Sequence, residues 1–246
     1  DTLMSLLLNC DLGESTHPDV MDVDALVMPH IDQANIACGL HAGNAEMMRA
    51  TLMLAKENGV LVGAHPSYPD REGFGRTSMS LPSKELIELI QSQIAALAEI
   101  ALETGISLSY VKPHGALYND MMTNGHIRSA VMQAISSSPL PLAFMLQATP
   151  EADAHRQEAE AFNLDLIFEA FADRCYADNG SLLSRKLPGA VHSREKMLAQ
   201  VVQLNNTGTI TTIGGLRLSI QADSVCVHGD NADGVAAIAE VRRLLR

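Results

Sequence analysis

The chain has little positive charge. Lys and Arg total 17 against 29 Asp and Glu, a net charge of -12. A field of that sign repels phosphate at long range, and the sequence contains no Lys/Arg cluster, so nucleic acid and anionic membrane are poor partners. Paired cysteines are also missing. Cys10, Cys38, Cys175 and Cys226 lie far apart, each in or beside an apolar run. None forms a C-x-x-C, which removes zinc-ribbon and thioredoxin-like readings and leaves small buried hydrophobes. No apolar run reaches the roughly 18 residues of a membrane span, and no charged-then-apolar leader opens the chain; a cytoplasmic location is the expectation. There is no G-x-x-x-x-G-K-[ST] phosphate loop, no G-x-S-x-G nucleophile elbow, and no H-E-x-x-H or H-x-x-x-H zinc spacing.

No low-complexity stretch or Pro/Gly/Ser linker divides the 246 residues, of which 47% are hydrophobic. One domain spanning 1–246 follows. Along it, short β-rich runs alternate with helical patterns. Strands are expected at residues 3–9, 34–38, 60–64, 108–112, 142–146, 165–171 and 224–227. Helices are expected at 23–28, 44–58, 83–104, 124–135, 150–162, 193–204 and 231–245. Residues 209–213 and 216–220 flank Gly214-Gly215 and read as a hairpin. Seven β-then-α units argue for a parallel sheet with helices outside. The pattern favours a closed barrel but leaves an open doubly wound sheet as the alternative.

Position then becomes informative. The expected strand ends run into NCDLGE (9–14), CGLHAG (38–43), GAHP (63–66), VKPHG (111–115), FADR (171–174) and VHGDN (227–231). In a parallel α/β fold every C-terminal strand end faces the same way, so residues scattered in sequence converge on one rim. Four His (His41, His65, His114, His228), three Asp (Asp11, Asp173, Asp230), Lys112 and Arg174 would meet there. A single such residue is usually a helix cap or a loop histidine; six coincidences at one end are not. Gly13, Gly39, Gly43, Gly115 and Gly229 beside them suit close approach of backbone to ligand. His17, His30, His126, His155 and His192 read as surface or helix residues. A bound metal stays open, with Asp11, His65 and His114 the best triad. The 227–231 segment, leading into a helix, offers free N–H groups to an anion.

These strings, with ANIACGLHAG (34–43), GAHPSYPD (63–70), GFGR (73–76) and VKPHGALY (111–118), resemble the LamB/YcsF family in order and over essentially the whole chain. Leu40 and Cys175 depart from its commoner residues, and 147–150 lacks a Gly-Ser often found there. The resemblance implies a seven-stranded (β/α) barrel, TIM-like and polysaccharide-deacetylase-like, here with a small hairpin insertion. It implies ATP-dependent opening of the lactam 5-oxoproline to L-glutamate, with two partner subunits, B and C, supplying the ATP-using part. On that footing Asp11, His65, Lys112, His114, Asp173, His228 and Asp230 are expected to be catalytic. Asn9, Glu14, His41, Arg174 and Asn231 are expected to bind substrate. His65 or His114, oriented by Asp11, would act as base and His228 or Asp230 as acid. Lys112 would stabilise oxygen charge, and Arg174 would grip the substrate carboxylate. Two alternatives are a metal-dependent amidase or deacetylase acting alone and a non-catalytic lactam-binding subunit.

Overall fold

A computed structural model describes residues 5–15, 22–228 and 232–245. Seven parallel strands close into a barrel in the order β1 (Leu7–Leu12), β2 (Gln33–Ala37), β3 (Leu61–His65), β4 (Tyr110–Val111), β5 (Ala143–Gln147), β6 (Leu166–Phe171) and β9 (Ser224–Cys226). Closure comes from β9, which pairs in parallel with both β1 and β6. The open-sheet alternative is thereby removed. The expected hairpin is present as β7 (Thr209–Thr211) and β8 (Arg217–Ser219), antiparallel and outside the barrel.

Helices wrap the outside: α1 (Asp22–Val27), α2 (Ala45–Asn58), α3 (Ser83–Thr104), α4 (Gly115–Thr123), α5 (Gly125–Ser136), α6 (Ala152–Glu160), α7 (Arg194–Thr207) and α8 (Ala232–Leu244). Their limits follow local chemistry. The Asn44 side chain accepts from Met47 N at the start of α2, and Gly59 ends it at φ 65°. Ser193 caps α7 through Lys196 N, and Gly105 closes α3 at φ 77°. Apolar faces such as Leu86, Ile90, Ile94 and Leu97 of α3 bury against the outer side of the strands in one continuous core.

Two expectations shift. The first described strand is Leu7–Leu12; residues 3 and 4 of the expected 3–9 lie outside the described residues, Ser5 and Leu6 are not strand, and Asp11 belongs to the strand and points with Asn9 into the barrel. Helix α4 adds an element that the sequence pattern does not announce. It starts directly at the VKPHG strand end, where Gly115 at φ 59° reads as a turn residue and masks the helical ALYNDMMT behind it.

The barrel interior is polar. Asn9 Nδ2 donates to Ser224 Oγ (2.8 Å), which donates to Gln33 Oε1 (2.7 Å). Asn35 Nδ2 donates to Asn9 Oδ1 and Asp11 Oδ1, both at 2.9 Å, and its own Oδ1 accepts from Tyr110 OH. TIM-type barrels usually fill this space with branched aliphatics. Here each of these inward groups finds a hydrogen-bonding partner, which is the condition for burying it without large cost.

Candidate functional site

The polar interior rises into a charged cluster at the C-terminal rim, with Lys112 at its base. Its Nζ lies 2.7 Å from Glu169 Oε2 and 3.2 Å from Asp11 Oδ1, and its side chain is 4% exposed. Glu169 is fully buried and also accepts from Tyr118 OH at 2.8 Å. Burial works against charge on Lys112, but the carboxylates of Asp11 and Glu169 outweigh it and hold its pKa well above the ordinary lysine value. Burial likewise opposes charge on Asp11. Lys112 and His65 prevail there and keep its carboxyl well below the usual range. The result is a fixed ammonium flanked by two carboxylates.

On one side of Asp11 stand three histidines. His65 Nδ1 donates to Lys112 O (2.6 Å), while its Nε2 lies 3.4 Å from Asp11 Oδ1 and 3.0 Å from His114 Nδ1. His114 Nε2 donates to Phe74 O at 2.7 Å. His41 stacks on His114, centroids 3.7 Å apart and planes within 9°, and its Nε2 is 2.7 Å from Glu14 Oε2. Desolvation, then the charge of His65, pushes His114 down to about 3; burial, then His65, does the same to His41. Both are neutral at ordinary pH. His65 moves up instead, because Asp11 beside it overcomes the desolvation.

The loop that locks His114 is itself strained. Phe74 adopts φ 55°, rare for an aromatic residue, and Gly75 follows at φ 68°. A Cβ on Gly75 would lie 2.9 Å from His114 Cδ2 and 3.0 Å from the His41 Cβ. The GFGR string therefore delivers a carbonyl to one histidine and packs beneath two.

Across Asp11 stands a second pair. His228 Nδ1 is 2.7 Å from Asp173 Oδ2, leaving Nε2 directed elsewhere. Asp11, Cys226 and His228 each bring one donor atom within 4.8 Å of the others. Burial disfavours both charges of the pair, but their mutual hydrogen bond and attraction raise His228 and lower Asp173. Burial pushes the thiols of Cys10 and Cys226 well up, and Cys38 to about 12, in keeping with small hydrophobes rather than nucleophiles.

Asp11, Glu14, His41, His65, Lys112, His114, Asp173 and His228 thus share one rim. Asn9 is fully buried beneath it and bonded within the barrel to Ser224 and Asn35. Arg174 sits beside Asp173 but turns its Nη2 to Leu183 O (2.8 Å). Asp230 and Asn231 lie outside the described residues. Sequence reasoning missed Glu169, Asn35, Tyr118 and Phe74. Glu169 had a legible signal: one acid inside the apolar strand LIFEAF.

The LamB/YcsF family model matches residues 6–246. A Pseudomonas fluorescens protein named as the A subunit of 5-oxoprolinase is 48% identical over 241 residues, covering 98% of this chain and 96% of that one. A Vibrio cholerae protein of the same description is 47% identical over 242 residues, covering 98% of each. The crystal structure of a lactam utilization protein from Thermus thermophilus superposes with a TM-score of 0.89 at 31% identity, covering 98% of this chain and 96% of that one.

Proposed function

The chain belongs to the LamB/YcsF family, and from that premise we propose that it opens the lactam ring of 5-oxoproline to L-glutamate within a cytoplasmic, ATP-dependent 5-oxoprolinase of several subunits. The observation that carries the chemistry is the juxtaposition of a buried ammonium, Lys112, with a His228–Asp173 dyad across Asp11.

A lactam carbonyl is a weak electrophile. Transfer of a phosphoryl group from ATP to its oxygen activates the carbon. That step is assigned to 5-oxoprolinase subunits B and C, the part the family resemblance implies for them. Water then adds to the carbon. Expelling phosphate from the adduct would only regenerate the lactam, so the C–N bond must break, and the departing ring nitrogen needs a proton. The acyl phosphate so formed gives glutamate and phosphate with a second water.

His228 suits both proton transfers: its Nδ1 is held by Asp173, so Nε2 can take a proton from water and return it to nitrogen. This departs from the sequence expectation. His65 and His114 each spend one ring nitrogen on a backbone carbonyl, Lys112 O and Phe74 O, and turn the other toward each other, so His228 is preferred as the base. Lys112 faces the developing oxygen charge, a contribution of roughly 3 kcal/mol to the barrier. Arg174, beside Asp173, is assigned the substrate carboxylate, which it takes up by giving up its bond to Leu183 O.

The test is glutamate release from 5-oxoproline and ATP by the chain with and without subunits B and C. Turnover is expected only in the assembled complex and is lost in His228→Asn. Turnover by the chain alone would favour a self-sufficient amidase. Full activity of His228→Asn together with Lys112→Met in the complex would favour a lactam-binding role.

A further inference from the structure

The histidines beside Asp11 are bonded in a way the lactam chemistry leaves unused. His65 commits its Nδ1–H to Lys112 O and His114 its Nε2–H to Phe74 O. The remaining nitrogens, His65 Nε2 and His114 Nδ1, face each other at 3.0 Å. Two imidazole nitrogens so placed share one cation, a proton or a metal ion. A carboxylate stands alongside, with Glu14 Oε2 3.7 Å from His114 Nδ1; the donor atoms of Glu14, His41, His65 and His114 all lie within 4.8 Å of one another.

We propose that Glu14, His65 and His114 form a binding site for a divalent transition metal of the zinc type. Bonds of about 2.0–2.2 Å to imidazole and carboxylate in a tetrahedron put donor atoms roughly 3.3–3.5 Å apart. The separations of 3.0 and 3.7 Å from His114 Nδ1 fall on either side of that edge, and the donor atoms of Glu14 and His65 lie within 4.8 Å of each other.

The surroundings are those of a metal site as well. A ligating histidine normally gives its other N–H to a backbone carbonyl or carboxylate, which fixes tautomer and ring orientation. Both histidines do so here, one through the strained Phe74 carbonyl. Glu14 is held in turn by His41 Nε2 at 2.7 Å. His41 is an orienting residue and not a fourth ligand. It stacks flat on His114, so an ion in the plane of one ring lies out of the plane of the other.

Asp11, the carboxylate expected from sequence, is displaced from the triad. Its Oδ1 lies 3.4 Å from His65 Nε2 but already takes Lys112 and Asn35. Two imidazoles and one carboxylate suit zinc-like ions over calcium or magnesium, and leave a coordination position for water or a carbonyl oxygen.

The site adjoins the proposed lactam pocket, but its test does not depend on that reading. The full chain is stripped with chelator and dialysed against Zn²⁺ or Co²⁺. Metal content, calorimetry and the Co²⁺ visible spectrum are then read. About one ion per chain is expected, with an intense tetrahedral-type cobalt spectrum. Glu14→Gln and His114→Asn, checked for folding by circular dichroism, should each weaken binding at least about tenfold. His126→Ala, an exposed histidine elsewhere, should not. Absence of stoichiometric metal from the wild type, or binding that survives both substitutions, overturns the site and leaves a shared proton between the two histidines. Glutamate formation by the metal-stripped complex would then still uphold the lactam reading. Metal bound by a complex inert toward 5-oxoproline would uphold the metal site and sink the lactam reading.

Discussion

Lys112 is the residue on which most of the site's electrostatics turns. Its ammonium offsets two carboxylates, Asp11 and Glu169, in a setting with little water. Lys112→Met leaves both acids without their counter-charge, and breaking such a buried pair costs about 3–5 kcal/mol. Urea denaturation should show a loss of that size. Glu169→Gln should cost less, because Lys112 keeps Asp11 and the amide can still accept from Tyr118. Equal losses in the two variants would argue that Lys112 is not the centre of the cluster.

The neutral histidines give a pH prediction whose sign is fixed. His41 and His114 are pushed to about 3 in the folded chain, against roughly 6.5 unfolded. Between those values the unfolded state binds more protons, so these groups lower stability as pH falls from 6.5 toward 3. His65 and His228, raised in the fold, act oppositely: their contribution is complete below about 6.5 and is lost as pH rises through their folded values. The contribution of His114 is isolated by comparison. In metal-free protein, melting temperature should fall less steeply between pH 6.5 and 4 in His114→Gln than in wild type. Parallel curves would mean that His114 is not held neutral.

At the scale of elements, the loop after β3 and the hairpin are the departures from a plain barrel. Gly75 cannot take a side chain without both an unfavourable φ and a clash with His114 and His41. Gly75→Ala should cost about 1–3 kcal/mol in stability and weaken Zn²⁺ or Co²⁺ binding through displacement of His114. A variant with normal stability and metal affinity would show that the loop relaxes freely. The β7–β8 hairpin hangs on Asp178, whose Oδ1 accepts from Thr212 Oγ1 (2.5 Å) and Gly214 N (3.0 Å). Asp178→Ala should cost about 1–2 kcal/mol without changing turnover, since the hairpin supplies no residue to the rim. Thermal melts and the glutamate assay check the two halves.

Elements are also where the sequence reads best and where it slips. Apolar alternation and glycine caps locate α2, α3 and the hairpin almost to the residue. The first strand is expected too early because the apolar run before Asn9 is as apolar as a strand needs, while the inward Asp11 reads as loop. The polarity of Asn9 and Asp11 makes sense only with Asn35, Ser224 and Lys112 opposite them. Helix α4 is hidden by the glycine at its start.

For the molecule as a whole, one core and one closed sheet imply a single cooperative unit. Circular dichroism at 222 nm and tyrosine fluorescence should report the same thermal transition. Two separated transitions would mean that part of the barrel unfolds alone. β9 carries a large share of this unity, since its three residues join the first and sixth strands. No described helix is long and apolar enough to cross a membrane.

Much of this protein is written into its sequence by period and position. The alternation of elements dictates an α/β fold with parallel strands, and the recurrence of His, Asp and Lys at strand ends places Asp11, His65, Lys112, His114 and His228 on one rim. What the one-dimensional chain leaves open is pairing. Whether β9 meets β1, which nitrogen of each histidine faces its neighbour, and which acid stands beside which cation depend on contacts between residues far apart in the chain, Asn9 and Ser224 among them. Local propensity carries no information about such contacts. Only the closed barrel, by bringing Glu169 to Lys112 and Glu14 to His114, decided them.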